Sequence, residues 1–167
     1  MYSTDNEILE IVDSNDKVIG TGTRSEIHRL GLSHRAVHLF VFNAPGQVYV
    51  QRRSLSKDRH PGKLDSSAAG HVDPGETYKE TAVRELREEL GIEAEVTEIL
   101  KVAACEQTDN EHVVLFSVQT DSGPVPNIEE IQWGGFMSCE RVFELMDQSP
   151  EDFVPAFILL WRKFSRR

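Results

Sequence analysis

Gly70-His71-Val72-Asp73-Pro74-Gly75-Glu76-Thr77-Tyr78-Lys79-Glu80-Thr81-Ala82-Val83-Arg84-Glu85-Leu86-Arg87-Glu88-Glu89-Leu90-Gly91-Ile92 is the stretch from which the rest of the chain can be read. Asp73-Pro74-Gly75 is a turn signal. Thr77, followed three residues later by Glu80, has the form of a capping box, in which each side chain satisfies a backbone N–H that the first helical turn leaves open. Gly91 stands where a left-handed residue closes a helix. These signals predict a helix over Tyr78–Leu90, about 20 Å long at 1.5 Å per residue. At 100° per residue, Ala82, Val83, Leu86 and Leu90 gather on a core-facing side. Glu85, Glu88 and Glu89 gather on a neighbouring side, at spacings i, i+3 and i+4. Carboxylates that close repel by roughly 0.2–0.5 kcal/mol per pair. Two readings follow. Either this is a solvated face balanced by Arg84 and Arg87, or it is a hard-cation site, since clustered carboxylate oxygens select Mg²⁺ or Mn²⁺.

Working outward, Ser54 to Ser67 is polar, carries Pro61-Gly62 and has no period, so it reads as a long surface loop of the functional kind. Before it, Ala36–Phe42 and Gln47–Gln51 flank the turn Asn43-Ala44-Pro45-Gly46 and predict a hairpin that ends at Arg52-Arg53. An earlier hairpin is expected around Asp13-Ser14-Asn15-Asp16, between Glu7–Val12 and Lys17–Thr21, followed by a helical turn at Ser25–Gly31. Beyond Gly91, strands are expected at Ala94–Val102, His112–Gln119 and Ile131–Trp133, with a turn-rich Thr120–Asn127. Helices are expected near Glu140–Met146 and Pro155–Phe164. Strands interleaved with a few helices indicate an α/β or α+β fold.

Gly70, five residues, Glu76, seven residues and Arg84-Glu85-Leu86-Arg87-Glu88-Glu89-Leu90-Gly91-Ile92 resemble the signature of the Nudix (MutT-like) hydrolases at every defined position. The resemblance implies an α/β/α sandwich around a mixed β-sheet, with this strand–loop–helix as catalytic element. It also implies metal-dependent hydrolysis of a nucleoside diphosphate joined to another group. By position, Glu88 and Glu89 would be the main metal ligands. Glu85 would be a further ligand or the base that activates water, and the Gly70 carbonyl would complete the shell. Arg84 and Glu76 would orient the glutamates. A divalent cation at such a site neutralises developing phosphate charge and acidifies bound water.

A second resemblance runs through Val41–Gln47, Arg52-Arg53-Ser54-Leu55-Ser56-Lys57, Pro61-Gly62 and Gly70-His71, which look like isopentenyl-diphosphate isomerase. That enzyme has a cysteine just before its Gly-His pair. Here the position is Ala69, which has no thiol for carbon protonation, and this departure favours hydrolysis over isomerisation. A catalytically silent nucleotide-binding module is the remaining alternative. Arg52, Arg53 and Lys57 lie where an anionic substrate could dock, or they pair with surface acids. The isomerase's histidine-rich metal site would map onto His28, His34, His71 and Glu111, with a one-residue gap at His28. Three imidazoles and a carboxylate would suit Zn²⁺ or Mn²⁺. Glu111 has a rival reading as an extra ligand for helix-bound Mg²⁺. Trp133 and Phe136 are read as core or as base-stacking residues, and His38 and His60 as structural or surface residues.

The length of 167 residues suits one domain, with residues 1–31 as a hairpin extension and residues 70–92 as the Nudix box. A net charge of −10 argues against coating a nucleic acid polymer or anionic lipid and leaves a small-molecule diphosphate as the expected partner. No apolar run is long enough for a membrane span. The first residues, Met1–Glu7, have no leader pattern, and Cys105 and Cys139 fit a reducing cytoplasm. Oligomeric state is left open, a homodimer included.

Overall fold

The computed structural model describes residues 6–167, so the leader reading of residues 1–5 lies outside the described residues. Strands β1 (Ile8–Val12) and β2 (Val18–Thr23) form the expected antiparallel hairpin. Helix α1 (Arg24–Leu30) follows, opened by a Thr23–Glu26 capping box and closed by a left-handed Gly31.

The centre of the fold is β3 (His34–Phe42), buried along almost its whole length, as a strand covered on both faces must be. It runs parallel to β8 (Glu111–Gln119) from His34↔Glu111 to Phe42↔Gln119. The turn before β4 (Val48–Arg53) forms as expected, but the hairpin does not. β3 and β4 pair only at Phe42↔Val48 and then part. The edge of β3 that β4 leaves is taken by antiparallel β6 (Ala68–His71), and β4 pairs instead with β9 (Ile131–Met137) and with β5 (Leu64–Asp65). β7 (Thr97–Val102) pairs antiparallel with β8, and its start three residues later than expected leaves Ala94–Val96 outside the ladder. Two further expectations are corrected. The loop after Arg53 ends in β5 and in fully buried Ser66 and Ser67, and the last strand continues past Trp133 to Met137.

Alternation along β3 divides the core. Val37, Leu39 and Val41 pack with Ala82, Leu86 and Leu90 of α2 (Tyr78–Leu90). Ala36 and Phe40 pack on the other side with Phe157, Leu160 and Trp161 of α4 (Pro155–Phe164), beside α3 (Cys139–Gln148). Helices on both faces of a mixed sheet give the α/β/α sandwich. Among the described residues, no helix is long and apolar enough to cross a membrane.

Candidate active site

Helix α2 carries both expected caps. Thr77 and Glu80 exchange hydrogen bonds, and Gly91 takes φ +65°. The side it buries differs from expectation at one apolar position and on the acidic face. Val83 is 47% exposed, Thr81 is buried, and Glu85 and Glu89 are buried at 9% and 6%. Glu88 alone of the three remains outward. The solvated-face reading therefore fails, because two of three carboxylates sit between helix and sheet.

Two neighbours make that burial tolerable. Gly70 on β6 leaves the space that the Glu85 side chain fills, and any Cβ there would overlap its carboxylate. Arg84 Nη1 donates to Glu85 Oε1 at 2.6 Å. The same guanidinium is fixed by Glu76, through Nη2 to Oε2 at 2.9 Å, and by the His71 carbonyl at 3.1 Å. Glu76 also accepts from Thr81 Oγ1, so Arg84 and Glu76 form a brace beside the acids. Glu89 Oε2 accepts from Gln51 Nε2 at 2.8 Å. Burial pushes Glu85 up to about 7 against the pull of Arg84. Burial and the charge of Glu85 push Glu89 up to about 8. Buried oxygen donors that resist ionisation on their own are relieved by a hard cation.

The three expected cations separate. Arg53 Nη1 donates to buried Asp65 at 3.0 Å and is part of the frame. Arg52, next along β4, alternates to the opposite face. There it donates to the Gly62 carbonyl at 2.7 Å and lines a cleft of about 210 Å³ with Trp133, Met137, Leu145 and Phe153. Lys57 lies within electrostatic reach of the acids. Burial pulls its pKa down while the charges of Glu89 and Glu85 hold it up, and its ammonium donates to Glu130. Trp133 is half-exposed, so the core reading fails for it. Phe136 packs on Tyr49 at 5.4 Å and joins the core. His38 is buried against Ser66 Oγ at 2.7 Å, and His60 bonds Asp109 at 2.7 Å, both frame contacts.

The four distant histidine-set residues meet. His28 from α1, His34 from β3, His71 from β6 and Glu111 from β8 place their ligand atoms within 4.8 Å of one another. His34 Nδ1 bonds the Leu32 carbonyl at 3.0 Å, which turns its Nε2 toward the cluster. His34 Nε2 and His28 Nε2 are buried without hydrogen-bond partners. Burial lowers His28 to about 4. His71 goes the other way, to about 9, because hydrogen bonds with Glu111 and Glu7 outweigh its burial. Glu111 Oε1 stands 3.3 Å from His71 Nε2 and 3.5 Å from His34 Nε2, which places it with the imidazoles. Sequence reasoning missed Gln51, Glu130 and Glu7. Gln51 had a signal, an amide at the end of the apolar run Val48-Tyr49-Val50. Glu7 and Glu130 had none.

Comparison with known proteins finds relatives over most of the chain. The NUDIX domain family matches residues 32–157. An uncharacterized Nudix hydrolase of Pseudomonas aeruginosa is 36% identical over 143 residues, 85% of each chain. One from Yersinia pestis is 48% identical over 86 residues, 52% of this chain but only 47% of that protein. An isopentenyl-diphosphate Delta-isomerase of Pectobacterium atrosepticum is 31% identical, covering 92% of this chain and 88% of its own. The crystal structure of DR0079 from Deinococcus radiodurans superposes with a TM-score of 0.85 at 29% identity, covering 95% of this chain and 99% of that one.

Proposed function

The chain belongs to the NUDIX domain family and is a hydrolase, and from that premise we propose that it is a divalent-metal-dependent pyrophosphohydrolase acting on a nucleoside diphosphate derivative. The observation that carries this is the burial of Glu85 and Glu89 between α2 and the sheet, against Gly70 and Gln51, with their pKa values raised. When bound, Mg²⁺ or Mn²⁺ supplies neutralisation of phosphate charge and an acidified water. Glu88 and Glu89 would hold the cation, and the Gly70 carbonyl would complete the shell. Glu85, tethered by Arg84 through Oε1, would be a further ligand or would take the proton of the attacking water at its other oxygen. Arg84 and Glu76 orient, and Lys57 receives the substrate's phosphate oxygens. Arg52 and the half-exposed Trp133 stand on the opposite face of β4, in the cleft beside Leu145 and Phe153, and take no part in holding the phosphates.

The isomerase alternative is weakened by Ala69. Cys105 stands before the turn at Glu106–Thr108 and Cys139 opens α3, so neither thiol lies on β6. We further propose that His28, His34, His71 and Glu111 form a second site for Zn²⁺ or Mn²⁺. In this reading the chain is one Nudix domain with residues 1–31 as its extension, and it works in the cytoplasm, where its two free thiols would stay reduced.

The test is a panel of nucleoside di- and triphosphates, dinucleoside polyphosphates, nucleotide sugars and isopentenyl diphosphate, assayed with Mg²⁺ and with Mn²⁺. Cleavage of the phosphoanhydride in at least one nucleotide is expected, seen as a nucleoside monophosphate and the other phosphorylated product. The Glu88→Gln, Glu89→Gln double variant should lose it by at least about a hundredfold while staying folded. Retained activity in that variant, or isomerisation without phosphoanhydride cleavage, overturns the reading.

A further inference from the structure

The cations around the Ser54–Gly62 loop are matched with carboxylates in two different ways. Most pairs belong to the frame. Arg24 holds Asp58 through two bonds of 2.8 Å. Arg59 and His60 both hold Asp109. Arg53 holds buried Asp65. Lys57 is different. It is the cation of this loop on which Glu89 and Glu85 act, and its direct partner, Glu130, comes from the separate segment that leads into β9. The two segments are joined at their base by the backbone, Ser54 N to Glu130 O at 2.9 Å. At the top, the Lys57 and Glu130 side chains keep 26% and 33% exposure, so the pair can open without unfolding anything.

We propose that Glu130 is a built-in competitor for the substrate's phosphate. Its carboxylate rests on the Lys57 ammonium in the place where a phosphate oxygen is taken, and it must move aside when substrate enters. The inference rests on the reading of Lys57 as the phosphate-receiving cation. A carboxylate oxygen and a phosphate oxygen make the same charge-assisted bond to an ammonium, and each would repel the other beside it. The arrangement sets the entry threshold. A ligand of higher negative charge gains more from Lys57 and so displaces Glu130 more readily than a monoanion does. It also gives the Lys57 ammonium a partner while the site is empty of substrate.

The experiment is calorimetric titration of inorganic diphosphate with Mg²⁺ into four full-length proteins: the parent, Glu130→Gln, Lys57→Met and the double variant. Glu130→Gln keeps the shape and removes the competing charge. It should bind diphosphate about two- to fivefold more tightly than the parent, the scale of a part-exposed ion pair. In the Lys57→Met background the same substitution should change nothing, because there is no ammonium left to compete for. KM for whichever panel nucleotide is hydrolysed should fall in step, with kcat nearly unchanged. Binding by Glu130→Gln that is equal to the parent's, or weaker, overturns the competitor and makes Glu130 a support for Lys57. Unimpaired binding by Lys57→Met overturns the reading of Lys57 on which the inference rests. Absence of diphosphate binding to all four proteins overturns both.

Discussion

Glu89 concentrates the physics of the site in one side chain. It is 6% exposed, bonded to one amide, and pushed up by burial and by Glu85 to about 8. The sign of the stability consequence follows from proton counting. Between the ordinary carboxylate range and about pH 8 the folded metal-free protein holds a proton on Glu89 that the unfolded chain has lost, so stability falls as pH rises through that window. A glutamine at this position is neutral at every pH. Glu89→Gln should therefore flatten the decline in Tm across that window in chelator, while abolishing most of the Mg²⁺-induced rise in Tm seen in the parent. Melting curves at several pH values, with and without Mg²⁺, check both. A parent whose metal-free Tm climbs steadily through the window would show that Glu89 is ionised in the folded state without a cation.

At the scale of elements, α2 was the most legible part of the chain, since its limits are written in short-range chemistry. Thr77, Glu80 and Gly91 act within one turn, and they set both ends of the helix where the structure has them. That cap has a measurable weight. Thr77→Ala removes the acceptor for the Glu80 N–H and one partner of the Glu80 carboxylate, and should cost about 1 kcal/mol of stability, read from denaturant unfolding at unchanged m-value. KM should move little, as Thr77 lies a full turn and more before Glu85. The strands were less legible. Two apolar runs around Asn43-Ala44-Pro45-Gly46 predict a hairpin on local grounds, but pairing depends on distant competitors, and β6 and β9 take the ladders that β3 and β4 would have shared. The acids show the same limit. Helical spacing places Glu85 and Glu89 on one side of α2, but only the sheet position of Gly70 and Gln51 decides that this side is buried. Val83 lies on the helix's apolar side by angle alone and ends exposed for the same reason.

At the scale of the whole molecule, the histidine cluster is what the fold assembles from four separate elements, and its present charge state dictates how a metal must enter. His28 is held neutral, at about 4, whereas His71 is held protonated, at about 9, between Glu111 and Glu7. The raised value on His71 adds stability that is fully present below the ordinary imidazole pKa and is lost as pH climbs through about 9. A cation bound by His28, His34, His71 and Glu111 has to displace that proton, so its affinity should rise with pH up to about 9, with a proton released on binding. Zn²⁺ and Mn²⁺ suit the three nitrogens better than Mg²⁺ does. Elemental analysis of tag-free protein should find one such metal beyond any held by α2. Competition against a chromogenic chelator should show the affinity gain between about pH 6 and 8. In His34→Ala, His71→Ala protein, that metal should be absent, while the Mg²⁺-induced rise in Tm attributed to Glu89 remains. Equal metal content in the two proteins would mean that the cluster is an ion-pair network and no more. Loss of both metals together would mean that the two sites are one. The separate attachments, Glu111 to the imidazoles and Glu89 to Gln51, argue that they are two.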